Sequence, residues 1–467
     1  MNRNLPFSAD YPYVRTAVLC HGCFDVLHLG HIRHLQEAAK FGNYLIVSVT
    51  SDKYVNKGMG RPHFNAEQRA EALRALDCVD EVVINDEPDS IALIQRIKPA
   101  FYVKGMDYLG IKSDELERER QTINSVGGRI EFTSSKKWSS SQIIRAETFS
   151  DEICEYLEQE KKSGAKDRIL NAFDTADKKQ IIFVGEYIED VYKYVQGLGR
   201  ASKELMIATV EVGQETFNGG VRAAVRHGEW KKGSFIGAPK SITKTRYVDS
   251  DFNKKLFDVY SSREILLNLD EREDFRDTLS DAVGLSDVVI VNDFGHGLLG
   301  GLERGLLSNA GFLAVNCQTN AGNYGFNLVT KYHKADYVCI DDPEARLATG
   351  MQTEPIEEVA FDLGRKISCT KFMITHGRFG SNWFDRANHK QKKTFGNAPA
   401  LVRGGIDTMG AGDAVMAVTA PLIAAGLDMA SAALVGNIVG AIKVSILGHR
   451  RHVGRQEIIQ TVEALLA

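Results

Sequence analysis

Short apolar runs of strand length alternate with stretches of helical spacing over two long intervals of this chain. A charge-dense interval without strand pattern lies between them. Alternation at that pitch demands parallel strands with helices covering both sheet faces, because each return to a parallel strand needs a crossover. In the first interval the pattern predicts strands at 14–20, 44–49, 81–84, 101–103 and 129–132, with helices at 30–40, 66–76, 91–97 and 141–148. In the second it predicts strands at 181–184, 205–210, 245–248, 288–291, 312–315, 337–340 and 372–375, closed by helices at 414–425, 430–446 and 456–466. The expected organisation is an α/β domain over residues 1–150, a charged linker helix over 151–178, and a second α/β domain over 179–467.

A chain of 467 residues with 43% hydrophobic content has room for two or three cores. A net charge of −4 gives no general attraction to nucleic acid. The N-terminus is polar, the apolar run 17–20 is too short for a signal peptide, and no run approaches a bilayer span, so no membrane partner is expected. Seven scattered cysteines read as reduced thiols of a cytoplasmic protein. Cys20-His21-Gly22-Cys23 invites a zinc or redox reading, yet no second ligand pair lies at suitable spacing.

Two segments carry phosphate chemistry. Asp407-Thr408-Met409-Gly410-Ala411-Gly412-Asp413 is a loop of small residues leading into an apolar helix. Glycines let backbone N–H groups approach a phosphate, and the helix start adds partial positive charge. Asp413 is placed to take a proton from an attacking sugar hydroxyl. Almost 400 residues earlier, His28-Leu29-Gly30-His31 follows the first strand and opens a helix. Ligands bind at the carboxyl ends of such strands. The two histidines share one side of the helix start, Gly30 leaves room for a phosphate, and the pair would steady a triphosphate as pyrophosphate leaves. Ordinary helix-surface histidines are the structural alternative.

The segment from His21 to His31, with Cys23, Phe24 and Asp25 inside it, resembles the nucleotidyltransferase signature G-x-F-D-x-x-H-x-G-H. Lys57-Gly58, Arg61-Pro62, Arg69, Cys78-Val79-Asp80, Lys104-Gly105-Met106-Asp107-Tyr108 and Trp138-Ser139-Ser140-Ser141-Gln142-Ile143-Ile144 follow in family order. Together they are most similar to the adenylyltransferase half of bifunctional heptose-phosphate kinase/adenylyltransferases, and more distantly to glycerol-phosphate cytidylyltransferases. The resemblance implies a Rossmann-like domain and in-line attack by a sugar-1-phosphate on the α-phosphorus of a nucleoside triphosphate, assisted by Mg²⁺. It makes His28, His31 and Lys57 catalytic. It gives Cys23, Phe24, Gly30, Lys104, Asp107 and the Ser139, Ser140 and Ser141 hydroxyls to nucleotide and phosphate binding. Arg69 as a solvated charge, Asp25 as a loop organiser and serines as plain helix caps are the bland alternatives.

The 407–413 segment resembles the D-T-x-G-A-G-D signature of ribokinase-like (PfkB) sugar kinases. By that resemblance Gly410, Ala411 and Gly412 form an anion hole, Asp413 is the base, and ATP with Mg²⁺ is the donor. Asp341-Asp342-Pro343-Glu344 stands where the family has N-x-x-E, which assigns Glu344 to the metal. Thr375-His376-Gly377-Arg378-Phe379-Gly380 looks like the ATP-side loop, giving Gly377 and Gly380 to nucleotide binding, and Asn437 falls near the adenine pocket or in the core. The acceptor side departs more. Gly185-Glu186-Tyr187-Ile188-Glu189-Asp190 keeps only the second aspartate of G-D-x-x-x-D, and Gly219-Gly220-Val221-Arg222-Ala223 replaces an asparagine with alanine. Asp190, Gly219, Gly220, Arg222 and Arg246 are the expected substrate contacts, with salt-bridged or solvated arginines as the alternative. His296 stands at a lysine's place, and His449-Arg450-Arg451-His452 reads as a solvated basic turn or an anion contact.

The expected whole is a bifunctional enzyme of nucleotide-sugar synthesis. One domain phosphorylates a sugar phosphate, heptose by resemblance, and the other adenylylates a sugar-1-phosphate. The family order is reversed here. The same chemistry with CTP and another sugar or polyol phosphate is one alternative. A catalytically inactive domain serving regulation or assembly is another, and a nucleotide sensor without turnover a third. Small-molecule partners are expected, and a homo-oligomer by resemblance.

Overall fold

The computed structural model describes residues 16–55, 62–108, 114–134, 149–200, 207–252, 254–386, 395–402, 404–405 and 407–466. Two compact units divide the chain, Met1–Ser150 and Asp151–Ala467. Among the described residues no helix is long and apolar enough to cross a membrane.

The first unit runs β1 (Ala17–Gly22), α1 (Leu29–Ala38), β2 (Tyr44–Thr50), α2 (Ala66–Arg74), β3 (Glu81–Asn85), α3 (Ile91–Ile97), β4 (Phe101–Lys104), α4 (Asp114–Ser125) and β5 (Arg129–Phe132). All five strands are parallel, in the order β3-β2-β1-β4-β5. Successive side chains of a strand face opposite sides. Val18 and Cys20 therefore pack with Leu35, Val47 and Leu73 on one face, and Leu19 packs with Ile46, Ile94, Tyr102 and Ile123 on the other. The order reverses at β1, which opens a crevice at its carboxyl end. Periodicity does not predict α4, because its apolar stripe is broken by Glu119, fully buried in an ion pair with Lys104 at 2.5 Å. The helix expected at 141–148 lies outside the described residues.

The second unit opens with α5 (Asp151–Lys162) and α6 (Ala165–Ala176). It continues through β6 (Ile181–Gly185), β7 (Tyr187–Arg200), β8 (Ile207–Gly220), α7 (Val221–Ala224), β9 (Gly233–Ile236), β10 (Ser241–Asp249), β11 (Lys255–Tyr260), α8 (Leu269–Leu285), β12 (Val288–Asp293) and α9 (Gly301–Leu307). Then come β13 (Leu313–Cys317), β14 (Tyr337–Asp341), α10 (Asp342–Thr349), α11 (Ile356–Lys366), β15 (Lys371–Thr375), β16 (Ser381–Asp385), β17 (Phe395–Ala398), α12 (Ala411–Ala424), α13 (Met429–Lys443) and α14 (Arg455–Leu465). An eight-stranded sheet, β17-β16-β15-β14-β13-β12-β6-β9, is parallel from β15 to β9 and antiparallel at β16 and β17. Helices α12 and α13 are apolar on nearly every side and almost wholly buried, as helices apolar all round must be.

A separate four-stranded sheet, β11-β10-β7-β8, is built around the long antiparallel β7–β8 pair. The pattern predicts part of β8 and β10, and misses β7 and β11. Irregularities at Tyr194/Val195 and Gly197/Gly199 shift which face each residue takes, so the period of two is lost along β7.

Residues 151–178 are two helices rather than one solvated linker helix. On α6, Ala165, Ile169, Ala172, Phe173 and Ala176 are buried, and the helix packs on α12 and α13. Phe173 stacks on Trp230 at 5.7 Å, and Arg168 donates to Asp428 at 2.8 Å. Charge density at 155–166 suggests solvent, but the apolar stripe that follows it is core. Phe173→Ala should therefore cost about 3–5 kcal/mol in chemical denaturation of the second unit. A linker helix would lose almost nothing.

Candidate active sites

In the first unit, the loop between β1 and α1 brings His28 and His31 to the carboxyl end of β1. His28 caps α1: its Nδ1 accepts the N–H groups of Gly30 at 3.1 Å and His31 at 3.4 Å. The two imidazoles stack, centroids 3.9 Å apart, and Phe24 meets His31 edge-on at 5.5 Å. Phe24 and Val26 both have φ near +50°, a conformation that disfavours residues with a Cβ and disfavours β-branched valine most.

Arg69 and Asp25 hold that strained loop. Buried Arg69 donates to the carbonyls of Cys23 at 2.5 Å, Thr50 at 2.9 Å and Phe64 at 2.9 Å, and pairs with Asp52 at 2.5 Å. Asp25 accepts from the backbone of His63 at 2.8 Å and Phe64 at 3.1 Å. Arg69 is thus a clamp rather than a solvated charge. Burial gives Lys104 a different partner from the expected phosphate, since Glu119 takes its ammonium and Tyr102 and Tyr108 lie 5.4 and 4.6 Å below it. His21, hydrogen-bonded to Ser48 at 2.9 Å, is held neutral by burial, then by the Lys104 charge, with its pKa lowered to about 4. Lys57, Ser139, Ser140 and Ser141 lie outside the described residues, as does the side chain of Asp107.

In the second unit, a cavity of about 500 Å³ is lined by Gly410, Ala411, Gly412 and Asp413, by Gly377 and Gly380, by Asp341 and Glu344, and by Asn437. That is a size suited to a nucleotide-sized ligand. Asp413 stands in the first turn of α12, buried, and its Oδ1 accepts from Asn292 at 3.1 Å and Gln318 at 2.7 Å. Burial raises its pKa to about 6, offset in part by His449, Asn292 and Lys443. Asn292 lies in the 291–297 segment that resembles the S-D-Y-x-K-G motif of heptose kinases, without an assigned role, and Gln318 lies in no motif. Their signal was position: polar side chains at the carboxyl ends of the parallel strands β12 and β13, where an α/β sheet builds its sites.

Asp341 caps α10 and forms a reciprocal box with Glu344: Glu344 N–H donates to Asp341 at 2.8 Å, and Asp341 N–H to Glu344 at 3.0 Å. Glu344 also accepts from Thr319 N–H at 2.8 Å. Burial and then the Asp341 charge push the Glu344 carboxyl well above its ordinary range, and burial raises Asp341 too. Neither carboxylate has an ion-pair partner among the described residues, so a cation would favour the ionised forms. Carboxylates, with the buried Asn316 Oδ1 and Thr319 Oγ1 lacking hydrogen-bond partners, form an all-oxygen donor set that fits Mg²⁺. Among the described residues no three His, Cys, Asp or Glu side chains converge tightly enough to hold a metal alone. Magnesium ordinarily uses one or two carboxylates and substrate phosphates.

Asn437 lines the cavity with its amide already engaged: it donates to the carbonyls of Ala398 and Pro399 and accepts from Ser381 Oγ at 3.0 Å, tying α13 to β16 and β17. Asp190 is buried between Arg246 at 2.9 Å and His449 at 3.5 Å. Burial would raise Asp190, but the His449 hydrogen bond and Arg246 charge outweigh it and hold the carboxyl below its usual value. Arg246 also pairs with Asp258 at 2.9 Å, so its charge is shared between two carboxylates. Gly219 lies against Asp190, where a Cβ would come within 2.2 Å of Oδ2, and Gly220 turns the chain from β8 into α7. Arg222 is exposed and stacks on Tyr187 at 4.0 Å. Glu186 accepts from the backbone of Phe294 and His296, both at 3.0 Å, and so anchors the loop after β12. His296 is itself buried against the Arg263 carbonyl at 2.9 Å. Arg450, Arg451 and His452 each have a glutamate partner, Glu215, Glu457 and Glu229.

Residues 19–146 match the cytidylyltransferase-like family, and residues 327–452 match the pfkB family of carbohydrate kinases. The chain is 40% identical over 129 residues to the bifunctional protein HldE of Geobacter sulfurreducens, covering 27% of this chain and 25% of that protein. It is 45% identical over 119 residues to the bifunctional protein HldE of Campylobacter fetus subsp. fetus, covering 25% and 26%. The chain thus spans about a quarter of the length of the curated relatives it matches. A phosphofructokinase-2 mutant from Escherichia coli superposes with a TM-score of 0.48 at 10% identity, over 62% of this chain and 99% of that one. A cytidylyltransferase-like domain and, after it, a pfkB-type carbohydrate kinase domain are joined in this chain.

Proposed function

We propose that the chain is a bifunctional enzyme of nucleotide-sugar synthesis, a sugar-phosphate kinase joined to a sugar-1-phosphate nucleotidyltransferase. The observation that carries the kinase half is Asp413, held by Asn292 and Gln318 beside the Gly410–Gly412 loop on a cavity of about 500 Å³. In this reading Asp413 takes the proton of an acceptor hydroxyl. The resulting oxygen attacks the γ-phosphorus of ATP, and ADP leaves. The N–H groups of Gly410 to Gly412 receive the transferred phosphoryl oxygens. Glu344, with Asp341 beside it, would hold Mg²⁺, which when bound neutralises charge on the phosphates.

In the nucleotidyltransferase half, an oxygen of a sugar-1-phosphate attacks the α-phosphorus of the nucleoside triphosphate and pyrophosphate leaves. His28 and His31 steady the phosphates, and the positive-φ loop pinned by Arg69 keeps them at the carboxyl end of β1. Lys57 and Ser139–Ser141 belong to this reading through motif alone. Heptose phosphate as acceptor and ATP as adenylyl donor rest on the motif resemblance and on likeness to the HldE proteins. On the acceptor side, Asp190 and Gly219 to Arg222 are the proposed substrate contacts, while Arg246 acts chiefly by holding Asp190.

Incubation with ATP or CTP and a panel of sugar phosphates, with mass detection of products, tests both halves. His31→Ala should reduce nucleotidyl transfer by about 10²-fold or more and leave ATP-dependent phosphorylation intact. Asp413→Asn should do the reverse. Either reaction surviving its own substitution at near wild-type rate removes that site.

The kinase should also lose activity in acid. Asp413 acts as base only when ionised, and burial sets its pKa at about 6, so kcat/KM rises with pH up to about 6 and then levels. Asn292 donates to the ionised form. Asn292→Ala should therefore move that acid limb to higher pH. A limb that stays in place would mean another group titrates.

A further inference from the structure

Lys443 ends α13 and is completely buried, one of the largest side chains with no exposure at all. A lysine in the last turn of a helix normally reaches for solvent with its ammonium. This one turns inward. Among the described residues its one hydrogen bond is Nζ to the Gly448 carbonyl, at 2.7 Å, and no carboxylate comes within ion-pair distance. A buried ammonium so sparsely matched is costly unless negative charge arrives from elsewhere.

The place it occupies suggests where that charge comes from. Gly410 has φ of +66°, and a Cβ on it would lie 2.8 Å from His449 Cε1 and 3.6 Å from Lys443 Cε. Lys443 and the His449 ring therefore share one side of Gly410, in the loop that lines the cavity. The two aspartates of the 407–413 segment both act on it electrostatically, as do Lys255 and Arg451 with the opposite sign, and His227 lies in its field. Asp407 is already satisfied by Lys255 Nζ at 2.8 Å and by the N–H groups of Gly448 at 2.9 Å and Met409 at 3.1 Å. Asp413 is held by two neutral amides. What remains for the ammonium is the anion that the Gly410–Gly412 loop receives.

We propose that Lys443 is a positioning cation for phosphoryl transfer, an ammonium fixed beside Gly410 that biases the loop and its neighbourhood toward the negative charge of the transferred group. This rests on the kinase reading above. Its Gly448 contact couples the end of α13 to the loop that also carries His449, which lies 3.5 Å from Asp190. One buried charge thus links the anion side of the site to the acceptor side. Its effect is Coulombic and needs no contact with substrate, and it belongs to the state in which charge passes to the phosphoryl oxygens.

The test is steady-state phosphorylation by the full chain carrying Lys443→Met, with thermal unfolding measured in parallel. Methionine keeps the bulk and removes the charge. Its kcat should fall by at least about fivefold while KM for ATP and acceptor stays within about threefold, with the unfolding midpoint unchanged or raised. A smaller fall in kcat overturns the proposal. If Lys443→Met fails to fold, Lys443→Arg decides. Burial depresses the Lys443 pKa from its ordinary value, so activity that needs its charge is lost as pH rises through that lowered value. A guanidinium stays protonated, so in Lys443→Arg the alkaline limb of kcat/KM should move to higher pH. A limb left where the wild type has it overturns the proposal, and failure of both variants to fold assigns Lys443 to the fold and overturns it too. If the wild type phosphorylates no acceptor, the kinase reading falls, and this one with it.

Discussion

The second unit is organised around a pair of side-chain amides. Asn292 and Gln318 project from the carboxyl ends of neighbouring strands β12 and β13, and both donate to the same oxygen of Asp413. A carboxylate at the start of a buried apolar helix would otherwise pull α12 toward water. Neutral donors solve the problem without neutralising the acid: they favour the ionised form but do not consume its charge. A lysine in their place would make a salt bridge and leave a weaker base. The amides also fix the helix start relative to the sheet, which sets the direction in which the Gly410–Gly412 N–H groups point. The first aspartate of the same segment takes the other route. Asp407 accepts from Lys255, Tyr192, Met409 N–H and Gly448 N–H, and these contacts outweigh burial to keep it below the ordinary range. One aspartate of the motif is made a staple, and the other keeps a raised pKa of about 6.

The surrounding charges follow from that division. Glu344, Asp341 and Asp413 are all raised by burial around one cavity. Burial is the largest cause of each shift, and a bound cation would favour the ionised forms. Around Asp190 and Asp258 the balance is already met within the protein, since Lys244 and Arg246 share Asp258, and Arg246 and His449 share Asp190. The two sides of the site thus differ in kind. In the kinase reading proposed above, the nucleotide side lacks a cation, and a substrate enters the closed network on the acceptor side by exchange. A phosphorylated acceptor would meet a guanidinium already occupied, which makes Arg222, exposed on Tyr187, the freer of the two arginines.

The parts that could be read from the sequence are those where periodicity and glycine geometry carry the signal. The parallel strands β1, β2, β6, β12, β13 and β14 are continuous apolar runs because both their faces are covered. The 407–413 loop is visible because close backbone approach to a phosphate needs small residues in a row. What escaped are the places where burial is purchased with charge. Arg69 looks like a surface residue until its five-donor fork is seen to hold three carbonyls. Lys104 on β4 and Glu119 on α4 hide one another, each polar in sequence and neutralised only in three dimensions. Glu186 departs from the family aspartate, and its longer side chain explains the change, because it reaches two backbone N–H groups after β12.

The first unit makes the same point about how a strained loop is kept. Left-handed φ at Phe24 and Val26 costs roughly 1–3 kcal/mol each, so the loop would relax unless something overdetermined it. Arg69 pins the carbonyl before the strained pair, Asp25 ties the residue between them to the 63–64 backbone, and Phe24 braces His31. The strain therefore has a structural result that can be named: it turns the chain sharply enough for His28 to cap α1 with Nδ1 and to stack on His31. With one nitrogen of His28 committed to the helix, its ring cannot rotate freely, and the stacked pair presents a fixed edge at the crevice beside β1. Triphosphate oxygens would be met by rings already oriented, and the ordering cost would have been met during folding rather than at binding.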